Sequence, residues 1–232
     1  MRVDSGRSRI FQTADDVADA AADLVADVVR QTVAERGSCV LALTGGNTPV
    51  ATYQRLAKHD LPWHAVDVVQ TDDRVLPDDE RGLNWKTITE HLLDVAAVPA
   101  ERRHPMPVHG DPAAGAAAYA ELLKSLTPSG SADLVLLQLG PDGHLASLFH
   151  GEYDPADPSG VVAVAAKAGV VRMTQTLPSL TGAATRLVLA TGAGKVEAVA
   201  KVRAESADTL ATRTFLASGG LLLLDAAAGE TP

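Results

Sequence analysis

Short apolar runs recur along the chain, and glycine, proline or charged residues bound each of them. Polar residues do not alternate with apolar ones inside these runs, which is typical of strands buried on both faces of a sheet. The pattern predicts strands at residues 39–43, 66–70, 134–139, 161–166, 172–177, 186–190 and 221–225. The runs at 161–166 and 172–177 are expected to be shorter strands near an edge.

Helix-like segments lie between most of these runs, and some carry clear start and stop signals. Thr13 precedes acidic residues and predicts a helix start, whereas Gly37 predicts the end of that helix. Pro49 and Pro112 suit the first turn of two more helices. The remaining predicted helices cover residues 84–94, 194–204 and 209–217, and a further helix is expected to begin at His144.

Strands that alternate with helices define the α/β class, so we expect a mostly parallel sheet with helices on both faces. The chain has 232 residues, which suits one domain of ordinary size with a substantial core. No internal repeat or long low-complexity linker interrupts the pattern. One domain over residues 1–232 is therefore predicted, and we expect a monomer or a weak homo-oligomer.

Charge and composition narrow the range of partners. The formal net charge of −9 argues against nucleic acid or an anionic membrane surface as the main partner, although a local site can still bind a small anion. Cys39 is the only cysteine and lies in an apolar run, so neither a disulfide nor a cysteine zinc site is expected. Because the chain shows no signal segment and no apolar stretch long enough for a bilayer, we expect a cytoplasmic protein.

Unusual loops follow three of the predicted strands, with the sequences TGGNTP, QTDDRVLP and LGPDGHLASLF. Ligands bind outside the carboxyl ends of strands in such sheets, so the loops should open on one edge and form a single site. In TGGNTP, the backbone of Gly45, Gly46, Asn47 and Thr48 could approach a phosphate closely at the start of a helix. An ordinary tight turn would use the same residues, and the loop is not a Walker motif.

The loop LGPDGHLASLF presents His144 on a turn stiffened by Pro141. A histidine there can take a proton at neutral pH, and Asp142 is close enough in sequence to orient its ring. A histidine that merely caps the turn is the alternative. The seven histidines are scattered without an HExxH pattern, so no metal site is predicted.

Other charged residues stand at or near the expected ligand edge. Asp72 and Arg74 follow a buried strand, and Lys195 follows another in a Gly-x-Gly-Lys segment, while Arg172 lies in apolar surroundings. Taken alone, each of these residues could equally be a solvated loop charge or one half of a surface salt bridge. Their position at the ligand edge favours a functional role for Asp72 and Arg74.

Together these segments resemble the 6-phosphogluconolactonase family, over nearly the whole chain and in the same order. TGGNTP is similar to the family's Ser/Thr-Gly-Gly-Ser-Thr-Pro turn, and DDRVLP with Asn84 is similar to its Asp-Glu-Arg-x-Val-Pro…Ser-Asn segment. LGPDGHLASLF is close to the Leu-Gly-x-Gly-Pro-Asp-Gly-His-Thr-Ala-Ser-Leu-Phe signature, the most specific of the three. The resemblance implies a Rossmann-like fold of the glucosamine-6-phosphate isomerase type and hydrolysis of 6-phospho-D-glucono-1,5-lactone, with no metal or organic cofactor.

The resemblance also implies roles for individual residues. His144 would be the general base that activates water, and Asp142 and Asp72 would orient or polarise it. The expected phosphate and substrate contacts are Gly45, Gly46, Asn47, Thr48, Arg74, Arg172 and Lys195. The chain departs from the family pattern at Asp73, where Glu is usual, and at Leu83, where Ser is usual.

Two relatives of this fold provide alternative functions. Glucosamine-6-phosphate deaminases carry a Glu after the Asp-Gly-His segment for proton transfer, whereas the matching residue here is Phe149, which favours lactone hydrolysis. Sugar-phosphate-sensing modules of transcription regulators usually carry a helix-turn-helix. The segment before Cys39 is expected to be one acidic helix, which is too short for that motif.

Overall fold

The computed structural model describes residues 8–76, 82–165 and 169–229. Its strands are β1 (Ser8–Phe11), β2 (Cys39–Leu43), β3 (Val66–Gln70), β4 (Asp72–Arg74), β5 (Arg103–His104), β6 (Leu134–Gln138), β7 (Val161–Ala165), β8 (Val171–Gln175), β9 (Thr185–Ala190) and β10 (Leu221–Asp225). Its α-helices are α1 (Ala14–Arg36), α2 (Val50–Leu56), α3 (Asn84–Ile88), α4 (Pro112–Leu126), α5 (Leu177–Thr181), α6 (Val196–Arg203), α7 (Leu210–Ala217) and α8 (Ala226–Gly229). A π-helical turn at Thr89–Leu93 continues α3, and short 3₁₀ helices cover Trp63–Ala65, Ala100–Arg102, Ala193–Lys195 and Ala207–Thr209.

The main sheet has the strand order β1-β10-β9-β6-β2-β3-β5, and its neighbouring strands pair in parallel. The predicted α/β class with a mostly parallel sheet is therefore confirmed. The chain extends the sheet on one side of β2 through β3 and β5, and then crosses to place β6 on the other side. The carboxyl ends of β2 and β6 thus flank the point where the strand order reverses, which is where such sheets bind ligands.

A second, antiparallel sheet has the order β4-β8-β7. The sequence predicts β7 and β8 as strands near an edge, whereas the structure pairs them with β4 in a sheet of their own. β4 has only three residues, all of them charged, so hydrophobic periodicity could not reveal it. Because β4 follows β3 after a single residue, this sheet lies at the carboxyl edge of the main one.

The main sheet separates two hydrophobic cores, and β2 contributes to both. Cys39, Leu41 and Leu43 pack with α1, α2 and α3 on one face, because successive side chains of a strand point to opposite faces. Val40 and Ala42 pack with α4, α5, α6 and α7 on the other face. Burial on both faces explains why the strands read as continuous apolar runs.

The start and stop signals of α1 are confirmed. The Thr13 hydroxyl accepts a hydrogen bond from the Asp16 N–H at 3.1 Å, and the Asp16 carboxylate accepts one from the Thr13 N–H at 2.9 Å. Gly37 adopts a left-handed conformation with φ of 81° and donates its N–H to the Val33 carbonyl. Within the part of the chain that the structure describes, no helix is long and apolar enough to cross a membrane.

The helix expected to begin at His144 is absent from the structure, and that prediction is wrong. Ala146 has a positive φ of 48°, which breaks a right-handed helix after two residues. Leu145 and Leu148 instead form an isolated antiparallel bridge around a tight turn. Both leucines are buried in the core, so the apolar spacing that indicated a helix reflects packing of the turn.

Candidate active site

A cavity of about 240 Å³ opens at the carboxyl ends of β2 and β6, beside the small sheet. It is lined by Thr44, Asp72, Arg74, Asn84, Gln138, Gly140, Pro141, His144, Ala146, Phe149, Arg172 and Lys195. The structure therefore brings together five of the predicted site residues from four separate loops or strands. These residues are Asp72, Arg74, His144, Arg172 and Lys195.

The turn between Gly140 and His144 is closed by its own backbone and by a neighbouring helix. The Gly143 N–H donates to the Gly140 carbonyl at 3.0 Å, and the Gly140 N–H donates to the His144 carbonyl at 2.9 Å. Gly143 has a φ of 95°, and its carbonyl accepts a hydrogen bond of 2.6 Å from the Thr212 hydroxyl of α7. A Cβ at Gly140 would clash with the His144 ring, so glycine is needed where the imidazole packs on the backbone.

His144 and Asp142 form a paired acid–base unit on this turn. The Nδ1 atom of His144 is hydrogen-bonded to the Asp142 carboxylate, which also accepts the His144 N–H at 3.3 Å. The imidazole packs against the Phe149 ring with centroids 4.5 Å apart, and the His144 side chain keeps 22% of its surface exposed. When Nδ1–H is donated to the carboxylate, the lone pair of Nε2 is left to accept a proton.

Asp72 is held in the cavity wall by three side-chain donors. Its carboxylate accepts hydrogen bonds from the Ser147 hydroxyl at 2.8 Å, the Thr71 hydroxyl at 3.1 Å and the Asn84 amide at 3.3 Å. Asp72 is only 3% exposed. These three donors therefore fix the direction of the Asp72 carboxyl group in the cavity wall.

Arg74 and Arg172 lie directly opposite each other on β4 and β8. Like charges at directly opposed strand positions are destabilising, so an anion between them would relieve the repulsion. Burial lowers the pKa of Arg172, and the charge of Arg74 lowers it further. The Arg172 guanidinium stacks 5.4 Å from the centre of the Phe149 ring, and its buried Nε has no hydrogen-bond partner among the residues that the structure describes. The pair is thus arranged to receive an anion.

Lys195 reaches the cavity out of the segment after β9. Its Nζ donates to the Leu139 carbonyl at 2.6 Å, immediately before the turn that carries His144. Burial lowers the pKa of Lys195 below the value of an ordinary lysine. The loop itself is anchored by Asp225 at the end of β10, whose carboxylate accepts the Gly192 N–H at 3.0 Å.

The TGGNTP loop stands just behind the cavity wall. Within the described residues, Thr44 lines the cavity, whereas Gly45, Gly46, Asn47 and Thr48 are outside its lining. The Gly45 carbonyl accepts a hydrogen bond of 3.0 Å from the Gln138 amide, and the absence of a Cβ at Gly45 leaves room for Asn84. Phosphate binding by the backbone of this loop stays a prediction.

Sequence reasoning missed Gln138 and did not assign Asn84 to the site. Gln138 is the polar last residue of an otherwise apolar strand, and a polar residue at that end of β6 is a signal that could have identified it. Asn84 is 12 residues from Asp72 in sequence, and only the fold shows that they are hydrogen-bonded. Within residues 8–76, 82–165 and 169–229, no group of three or more His, Cys, Asp and Glu could hold a metal ion.

The protein is thus a parallel α/β protein in which a histidine bonded to a carboxylate and three cationic side chains meet at one small cavity. The chain matches the family model described as glucosamine-6-phosphate isomerases/6-phosphogluconolactonase over residues 12–219, and it belongs to that family. The resemblance predicted from the sequence motifs is therefore confirmed.

Individual relatives agree with this family. The 6-phosphogluconolactonase of Synechocystis sp. is 36% identical over 211 residues, covering 86% of this chain and 87% of the relative. The solved 6-phosphogluconolactonase of Trypanosoma brucei has a TM-score of 0.81 and 26% identity, covering 97% of this chain and 98% of that one. A monomeric glucosamine-6-phosphate deaminase has a TM-score of 0.80 and 22% identity, covering 97% and 99%. Proteins named for two activities thus share the fold, so the residues of the site must distinguish them.

Proposed function

We propose that the chain hydrolyses 6-phospho-D-glucono-1,5-lactone to 6-phospho-D-gluconate, with His144 as the general base and without a metal ion. The observation that carries the proposal is that His144, whose ring is bonded to Asp142, lines the same cavity as Arg74, Arg172 and Lys195. The names of the relatives support the same substrate. The reaction needs a base for water and cations for a phosphate, and the proposal gives the first role to His144 and the second to the three cationic side chains.

The reaction begins when Nε2 of His144 takes a proton from a water molecule that attacks the lactone carbonyl carbon. Asp142 holds the ring through Nδ1 and stabilises the imidazolium that forms. The tetrahedral intermediate then breaks the bond between the carbonyl carbon and the ring oxygen. His144 returns its proton to that oxygen, which leaves a hydroxyl group and a carboxylic acid that ionises.

The phosphate is assigned to the cationic part of the cavity. Arg74 and Arg172 face each other across two strands, and a phosphate between them offsets their repulsion. Lys195 lies beside the His144 turn and is placed to contact either the phosphate or a sugar oxygen. The N–H groups of residues 45–48 are proposed as further donors to the phosphate.

Phe149 is the observation that separates this proposal from deamination of an amino sugar phosphate. The Phe149 ring lines the cavity and packs between the His144 ring and the Arg172 guanidinium. A phenyl ring cannot transfer protons, so the position that carries a Glu in the deaminase signature is inert here. Sensing without turnover is the remaining alternative, and an activity assay distinguishes it.

The test is a coupled assay with freshly generated 6-phosphogluconolactone, corrected for spontaneous opening of the lactone. His144→Ala is expected to remain folded and to lose about 10²–10⁴ in kcat, because that is the usual contribution of a general base. His150→Ala is the matched control, since His150 is exposed and lies six residues further along the chain. EDTA is expected to leave the wild-type rate unchanged.

Three results would contradict parts of the proposal. A corrected kcat of His144→Ala within a few-fold of wild type would remove His144 as the base. A wild-type protein that binds 6-phosphogluconate but does not accelerate lactone opening would favour the sensing alternative. Loss of activity in EDTA, restored by a divalent metal, would contradict the metal-free reaction.

A further inference from the structure

Asp73 is a buried carboxylate next to the cavity whose two oxygens are fully used. Oδ1 accepts the N–H groups of Arg74 at 2.7 Å and Asn84 at 2.8 Å. Oδ2 accepts the Gln70 side-chain amide at 2.6 Å and the Trp85 N–H at 3.0 Å. Asp73 is 1% exposed, and burial raises its pKa despite these four donors. Burial of a carboxylate costs free energy of desolvation, which the four hydrogen bonds offset.

The carboxylate connects two elements that are separated along the chain. Asp73 lies in the middle of β4, whereas Asn84 and Trp85 are the first residues of α3. The first N–H groups of a helix have no carbonyl partner within the helix. Leu83, the residue at the N-cap position, makes no capping hydrogen bond with its side chain. Asp73 therefore caps α3 from another element and ties the start of that helix to β4.

The tied segment carries two groups of the cavity wall. The Arg74 guanidinium donates to the Gly82 carbonyl, two residues before the capped helix start. The Asn84 side-chain amide donates to the Asp72 carbonyl oxygen at 3.0 Å. Both Arg74 and Asn84 line the cavity. Displacement of residues 82–85 would thus move the Arg74 head group and the Asn84 amide together.

We propose that Asp73 is a positioning residue, which holds residues 82–85 against β4 and so places Arg74 and Asn84 for the phosphorylated ligand. This inference rests on the proposed function for the identity of the ligand. It assigns Asp73 no contact with the substrate and no proton transfer. His144 lies on a separate turn after β6, so the effect of Asp73 falls on binding rather than on the chemical step.

Asp73→Asn is the main test, because an amide keeps the size of the side chain but directs an NH₂ group at two N–H donors. It is expected to raise both KM for 6-phosphogluconolactone and Kd for 6-phosphogluconate about tenfold or more. The kcat is expected to stay within about threefold, because the His144–Asp142 pair is untouched. For glucono-1,5-lactone, which lacks the phosphate, kcat/KM should change by less than about twofold.

Asp67→Asn is the matched control for the loss of a buried carboxylate. Asp67 lies on β3, is 5% exposed, and accepts hydrogen bonds from Arg102 and His104 at 2.8 Å, outside the cavity lining. The control is expected to lose stability while its Kd for 6-phosphogluconate stays at the wild-type value. An equal rise in Kd for the Asp67 and Asp73 variants would overturn the proposal.

A double-mutant cycle with Arg74→Ala separates positioning from a general structural role. Because Asp73 acts partly through Arg74, Asp73→Asn should raise Kd by a smaller factor once the guanidinium is gone, and the effect that remains is the part that acts through Asn84. A full effect of Asp73→Asn in the Arg74→Ala background would contradict this, as would a single variant with wild-type Kd. Calorimetric Kd values do not depend on turnover. The positioning role of Asp73 can therefore fail while the lactonase function holds, and it can hold while the lactonase function fails.

Asp73→Glu keeps the test decisive if the Asn variant does not fold. Glu retains the carboxylate but is longer by one methylene, so it must shift residues 82–85 while it still accepts their N–H groups. The Kd for 6-phosphogluconate is expected to rise about threefold, which is less than for Asn. A rise of about tenfold or more for Asp73→Glu, in which the carboxylate is retained, would overturn the proposal.

Discussion

At the scale of single residues, the cavity depends on charges that other residues hold in place. Asp142 bonds to the ring of His144, three donors hold Asp72, and the Phe149 ring packs against both His144 and Arg172. The His144 ring and the Asp72 carboxyl group are therefore held in set directions in the structure. Groups that are already positioned need no reorganisation when charge develops, which is the main source of electrostatic stabilisation in enzymes.

Lys195 gives a prediction about pH at this scale. Because burial lowers its pKa, Lys195 loses its charge at a lower pH than an ordinary lysine. The charged form is present below that pKa, so affinity for 6-phosphogluconate should be highest at neutral pH and should fall as the pH rises through the lowered value. The phosphate has a second pKa of about 6 and is already mostly a dianion at neutral pH, so its own ionisation would not lower the affinity as the pH rises. Kd measured by calorimetry from neutral to alkaline pH checks this.

Lys195→Arg is the control for that titration, since a guanidinium stays charged over the whole range. Its Kd should vary much less with pH than the Kd of the wild type. An identical alkaline loss of affinity in both proteins would assign the titration to another group.

At the scale of elements, the turn from Gly140 to His144 combines a backbone requirement with a side-chain requirement. Gly143 is needed for its positive φ, whereas Gly140 is needed because the imidazole occupies the space of its Cβ. The sequence pattern shows two glycines and a proline but not which glycine serves which purpose. That distinction depends on where the His144 ring lies in the folded protein.

Gly140→Ala gives a prediction for this turn. The added methyl group is expected to displace the His144 ring and lower kcat about tenfold or more, whereas KM should change little. Gly194→Ala is the control, because Gly194 lies in the Lys195 loop and a Cβ there meets no atom within 4 Å. Steady-state kinetics on 6-phosphogluconolactone would check both variants. A wild-type kcat for Gly140→Ala would show that the ring position is not critical.

The secondary-structure predictions are more accurate for longer hydrophobic segments than for shorter ones. β2, β3 and β10 are confirmed at their predicted bounds, because each is a five-residue segment composed mainly of apolar residues, with the sequences CVLAL, VDVVQ and LLLLD. β4 and β5 were not predicted, because strands of three and two residues are too short to show hydrophobic periodicity. Their pairing partners, far along the chain, are what make them strands.

At the scale of the whole molecule, an acidic protein surrounds a cavity lined by three cations. The net charge is −9, yet Arg74, Arg172 and Lys195 meet at one edge of the sheet. They come from three distant parts of the chain, so this cationic site exists only in the folded state. A ligand that binds there therefore stabilises the fold by mass action.

This coupling predicts thermal stabilisation by the product. At about 100 times its Kd, 6-phosphogluconate should raise the free energy of unfolding by about 2.7 kcal/mol. For a chain of this size, that corresponds to a rise in Tm of roughly 5–10 °C. Gluconate without the phosphate, at the same concentration, should produce a much smaller shift in a differential scanning experiment. Equal shifts for the two ligands would contradict the assignment of the cations to the phosphate.

The motifs alone determined the family and five residues of the cavity, because the residues follow strand ends and a parallel sheet brings those ends to one edge. The tertiary structure alone decided how the residues act together: the opposition of Arg74 and Arg172, the bond between Asn84 and Asp72, and the capping of α3 by Asp73. These contacts join residues that are from 11 to 98 positions apart, as the numbers of Asp73 and Asn84 and of Arg74 and Arg172 show. Local sequence patterns contain helix and strand propensity and hydrophobic periodicity. Contacts between residues so far apart in the chain form only when the sheets have paired.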